Sequence, residues 1–108
     1  MAIPHAKSGD VIDVRPLGPT LTDAKTVTLV KSDALEVIRL VIPADKDIAP
    51  HKTKGEVTIH CLEGSAGILV NGVTQVLEPG QLMYLSRGEL HAVRAITDAS
   101  LLVTILLP

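Results

Sequence analysis

The apolar residues of this chain come in short runs, five to eight residues long, and each run is closed by turn residues. No segment holds the i, i+3, i+4, i+7 spacing long enough to make an amphipathic helix. Val, Ile and Thr together number 30 of the 108 residues, and β-branched side chains suit the pleated surface of a strand. The pattern predicts strands over 11–15, 26–30, 35–42, 56–63, 66–70, 73–77, 81–85, 90–96 and 100–107. Many short strands at roughly ten-residue spacing point to an all-β sandwich or small barrel.

The turns sharpen this reading. Asn71-Gly72 lies between two strand patterns, and both residue types accept positive φ cheaply, so a two-residue type I′ hairpin is expected there. Lys31-Ser32-Asp33 is a second hairpin candidate, and Pro79-Gly80 and Ser86-Arg87-Gly88 mark two further turns. Pro43–Pro50 (PADKDIAP) reads as the longest polar loop. There is no internal repeat and no low-complexity tract.

Length and composition bound the function. One domain over residues 1–108 is expected, with 1–10 as a mobile tail. Leu, Val and Ile supply 36 residues, enough for a core. Tyr84 is the single aromatic residue, and ten Lys+Arg stand against twelve Asp+Glu. Neither the stacking platforms nor the basic footprint of nucleic-acid binding is present. Met1–Asp10 carries no apolar signal region, and the longest apolar run, Leu101–Leu107, is far short of the about 20 residues of a membrane helix. One cysteine, Cys61, cannot form an internal disulfide, which fits a reducing compartment. The expectation is a soluble, cytoplasmic protein with no membrane and no nucleic-acid partner. The stretches 35–42 and 101–107 are apolar on both faces, where an antiparallel strand with one wet face should alternate. Something must cover the second face. A homodimer is expected, the alternative being N-terminal segments of the same chain.

Four histidines could carry chemistry. His5 falls in the tail and is set aside. His51 closes the polar loop and His91 opens a strand, so both stand at strand mouths, where all-β barrels place their sites. Glu56 and His60 follow His51 closely. Imidazole and carboxylate suit a divalent metal such as Zn, Fe, Mn or Ni. Cys61 reads best as a small buried hydrophobe, with a soft ligand or nucleophile as the alternative. Lys52 and Lys54 flank the site strand and would attract an anion to its mouth, or serve as an ordinary solvated edge.

The stretch His51–Gly64 (HKTKGEVTIHCLEG) resembles the first motif of the cupin family, and Gly80–His91 (GQLMYLSRGELH) resembles the second. Five of ten motif positions agree: His51, Gly64, Gly80, Gly88 and His91. The fifteen-residue spacer between Gly64 and Gly80 contains the Asn71-Gly72 hairpin. The resemblance implies a single double-stranded β-helix, or jelly-roll barrel. It also implies a metal held by two His and a Glu of the first motif and the His of the second.

The departures fall on that ligand set. Thr53 replaces the second His and Val57 the Glu, while Asp45, Ser86 and Ala95 replace the Gly, Pro and Asn. Strand parity then separates two arrangements, since a one-residue slip sends a side chain to the opposite face. If Val57 faces inward, Ile59 and Cys61 do too and line the pocket, and His60 points out. If Glu56 faces inward, His60 joins it, and either becomes a third ligand beside His51 and His91. Counting from Gly64 favours the first. The expected function is a small barrel that binds a small polar or anionic molecule at its mouth, with a degenerate or absent metal site. The alternatives are a metal-dependent oxygenase or isomerase using His51 and His91 plus Glu56 or His60, and a non-catalytic dimeric module.

Overall fold

A computed structural model describes residues 5–108. Among the described residues, nine strands follow a short 3-10 helix, Gly18–Asp23: β1 Val27–Lys31, β2 Leu35–Ile42, β3 Asp47–His51, β4 Val57–Glu63, β5 Ala66–Val70, β6 Val73–Leu77, β7 Leu82–Leu85, β8 His91–Ala95 and β9 Ala99–Leu106. They form two antiparallel sheets, one ordered β1-β2-β9-β4-β7 and the other β3-β8-β5-β6. The two sheets face each other as a jelly-roll barrel. The core lies between them, with Ile59, Ile68 and Leu101 fully buried. Each such side chain contributes about 1.5–3 kcal/mol by leaving water. Among the described residues, no helix is long and apolar enough to cross a membrane.

Turn chemistry sets the register as the sequence implies. Asn71 (φ 51°) and Gly72 (φ 77°) both occupy the left-handed region, so β5 and β6 close through a type I′ turn and pair from Ala66↔Leu77 to Val70↔Val73. The Ser32 hydroxyl takes the backbone N–H groups of Ala34 and Leu35, both at 3.1 Å, and closes the β1–β2 hairpin. Asp45, at the position where the cupin motif has Gly, has φ 66°, a conformation that Asp tolerates better than most side chains.

Two readings need correction. No strand forms over 11–15. Its alternation is real, with Ile12 and Val14 half-buried and Val11, Asp13 and Arg15 exposed, but it has no strand partner: the edge of β1 is met instead by Ala6, whose N–H donates to Leu29 at 2.8 Å. The end of the expected polar loop is strand β3. It is an edge strand with one half-buried residue, Ile48, so it shows no apolar run, and an edge tolerates Pro50. Of the expected tail, residues 1–4 lie outside the described residues.

The outer face of the five-stranded sheet is covered in part by the chain's own N-terminal segment. Glu63 accepts hydrogen bonds from the N–H groups of Leu17 (2.7 Å) and Gly18 (3.1 Å) and from the Ser100 hydroxyl (2.9 Å). An irregularity between Cys61 and Glu63 turns that carboxylate outward, onto the face of Ser100. Burial raises the carboxyl's pKa, but those hydrogen bonds and the Arg39 charge outweigh it and hold Glu63 below its ordinary value. Arg39, itself buried, donates to the Arg15 carbonyl at 2.7 Å. Elsewhere the face stays open: Leu82 and Tyr84 on β7 and Leu106 on β9 are exposed.

Candidate functional site

β3 and β8 are adjacent in the four-stranded sheet, and His51 and His91 stand directly opposite one another in their register. Local geometry makes this possible. Ile48 pairs with Val93, whose side chain is buried in the core, and three residues further along β3 a regular strand would turn His51 outward. On β8 only two residues separate Val93 from His91. The irregularity between Ile48 and His51 absorbs the extra residue and brings His51 to the same face as His91. The ring centroids are 4.3 Å apart. A hydrogen bond from the Gly88 N–H to the Thr53 carbonyl (2.9 Å) ties the loops beside the two histidines together.

Both rings are held by backbone carbonyls: His51 Nδ1 lies 3.1 Å from the Ala49 oxygen, and His91 Nδ1 lies 2.9 Å from the Glu89 oxygen. A carbonyl can only accept, so each Nδ1 carries a proton, and in the neutral ring each Nε2 keeps a lone pair. His91 is buried and His51 is exposed, so the pair reaches from solvent into the barrel. Beneath it is a cavity of about 150 Å³, lined by the two imidazoles and eight aliphatic side chains, Ile59, Leu101 and Val103 among them.

The other candidates are placed elsewhere. Val57, Ile59 and Cys61 face the core. Of these three, Ile59 lines the cavity, while Val57 and Cys61 pack away from it. Cys61 is fully buried, its thiol directed at the carbonyls of Gly64 (3.3 Å) and Glu63 (3.7 Å). Burial pushes its pKa up, which opposes thiolate formation and with it a nucleophilic role.

Glu56 and His60 do not join the pair, and the reading of either as a third ligand is corrected here. Glu56 precedes β4, is exposed, and accepts the Tyr84 hydroxyl at 3.0 Å. His60 pairs with Leu82 and Leu102 in the regular part of β4 and shares the outer face with them. The register shift that Glu56 would need does not occur at the start of β4; it occurs in β3 and serves His51. Among the described residues, no group of three or more His, Cys, Asp or Glu could hold a metal ion. Metal sites of the usual kinds take three or four protein ligands, and the two imidazoles fall short of that set.

Comparisons with known proteins agree with the fold. The family model described as "Cupin domain" matches residues 38–106. A cupin superfamily protein from Desulfitobacterium hafniense DCB-2 superposes with a TM-score of 0.78 at 17% identity, over 95% of this chain and 100% of that one. A conserved protein of unknown function from Streptococcus pyogenes gives 0.77 at 22% identity, over 100% and 96%. A predicted oxalate decarboxylase from Thermotoga maritima gives 0.69 at 24% identity, over 77% and 79%. No curated protein matches the chain.

Proposed function

The chain belongs to the cupin family, and from that premise we propose that it binds a small organic molecule at the barrel mouth through His51 and His91, without a resident metal centre. The observation that carries this reading is the imidazole pair itself. Two rings 4.3 Å apart, each with its Nδ1 committed to a carbonyl, line a cavity and leave Nε2 as the ring nitrogen free to meet a ligand. Such an arrangement recognises a ligand by hydrogen bonds and shape. Family membership does not decide between binding and catalysis, since one fold hosts both. The donor set favours binding, because a metal-assisted reaction needs ligands enough to hold the ion and leave a position open.

The test is a fragment screen by NMR on chelator-treated protein, following the ring C–H signals of His51 and His91. Fragments that shift both rings with the chelator present are the expected result. Response only after a divalent metal is added would count against the reading.

We also propose a homodimer through the open part of the outer sheet face, where Leu82 and Tyr84 of β7 and Leu106 of β9 are exposed. The N-terminal segment engages Glu63 and Arg39 and leaves these apolar side chains to a second copy. A stable dimer would bury on the order of 1,200–2,000 Å². Sedimentation at micromolar concentration should give twice the 11.4 kDa chain mass, and a single species at the chain mass would refute the dimer. The buried free thiol of Cys61 is compatible with a reducing, cytoplasmic setting.

A further inference from the structure

We infer that the ligand of the His51–His91 mouth is a compact hydroxylated hydrocarbon of phenol's size and chemistry, an inference that rests on the reading of that mouth as a binding site. Three observations converge on this class. The first is volume. The cavity holds about 150 Å³ and its walls are aliphatic apart from the two imidazoles, with Ile59 and Leu101 almost wholly removed from solvent. A dry, aliphatic cavity of about this size accepts a body as large as a benzene ring. The second is hydrogen-bond polarity. Both Nδ1 protons are spent on the Ala49 and Glu89 carbonyls, so in the neutral rings the nitrogens left for a ligand are Nε2 acceptors. A hydroxyl donates to such a nitrogen. A carboxylate, which can only accept, meets it lone pair to lone pair. The third is access. His51 is exposed and His91 is buried, so a ligand enters past the first ring and its body continues into the apolar depth.

A small dicarboxylate fits poorly on two counts. It offers no donor to the nitrogens, and it would lose its hydration among aliphatic side chains that return nothing. The sequence-based expectation of a polar or anionic ligand reflected the lysines and histidines of the first motif. The strand residues that form the cavity wall lie scattered over β2, β3, β4, β8 and β9.

The experiment is an NMR titration of chelator-treated protein with methanol, cyclopentanol, phenol, 4-tert-butylphenol, benzoate and oxalate. It follows the ring signals of His51 and His91 and the methyl signals of Ile59 and Leu101. Affinity should rise about fourfold for each further carbon buried, giving phenol at least a hundredfold advantage over methanol. It should fall again for 4-tert-butylphenol, whose added bulk exceeds the cavity. Phenol should move the methyls and both rings together, and benzoate and oxalate should move neither. Phenol binding no tighter than methanol overturns the inference. Ring shifts with oxalate or benzoate but not with phenol also overturn it, while leaving the mouth as the binding site. If no probe moves either ring, both the inference and the site reading fail.

Discussion

Gly64→Ala should destabilise the protein by about 2–5 kcal/mol, while Gly72→Ala should cost only about 1–2 kcal/mol. Both glycines have positive φ, 74° and 77°, so both substitutions carry the left-handed backbone penalty of about 1–2 kcal/mol. They differ in space. A Cβ at Gly72 would meet nothing within 4 Å, whereas one at Gly64 would overlap the Asp98 carbonyl oxygen and come within 2.8 Å of the Ala99 Cα. Those are backbone atoms at the start of β9, the central partner of β2 and β4, and they cannot swing aside like a side-chain end. Overpacking of this kind adds about 1–3 kcal/mol. In urea unfolding the midpoint of Gly64→Ala should fall by more than about 1 M. Equal midpoints for the two variants would show that the close approach is not as described.

The double substitution His51→Ala with His91→Ala should remove small-molecule binding and keep the fold. Two lost hydrogen bonds at a partly buried site correspond to about 10–100-fold in affinity, and each single variant should show part of that loss. The fold should survive because both residues stand at strand ends: His51 closes β3 and His91 opens β8. Binding read from the Ile59 and Leu101 methyl signals, beside a circular-dichroism spectrum, separates the effects. If the pair served only packing, the double variant would lose stability with binding unchanged.

These predictions rest partly on features legible in the sequence. Asn71-Gly72, Gly64, Gly80 and Gly88 mark turns whose backbone requirement is local, and all five residues have positive φ in the structure. The two histidine positions followed from motif spacing. What the sequence concealed is non-local. β3 is an edge strand with almost nothing buried, so no apolar run announces it. The irregularity that turns His51 inward depends on its pairing with β8, and a bulge has no reliable signature within one strand. The alternation at 11–15 shows which side chains are half-buried, but pairing needs a free strand edge, and Ala6 already meets that of β1. Parity counted from Gly64 assumed an unbroken β4. Between Val57 and Cys61 the strand is regular, and the irregularity beyond Cys61 affects Glu63.

The ligand set of the mouth is the central claim, and the metal content of the protein tests it most directly. Elemental analysis of protein purified without chelator, before and after dialysis, should find metal well below one equivalent per chain. Two imidazoles alone hold an ion weakly, and among the described residues no third or fourth protein ligand stands beside them. One equivalent of Zn, Fe, Mn or Ni per chain, retained through dialysis and lost in the His51→Ala, His91→Ala variant, would contradict the account and make the mouth a metal centre.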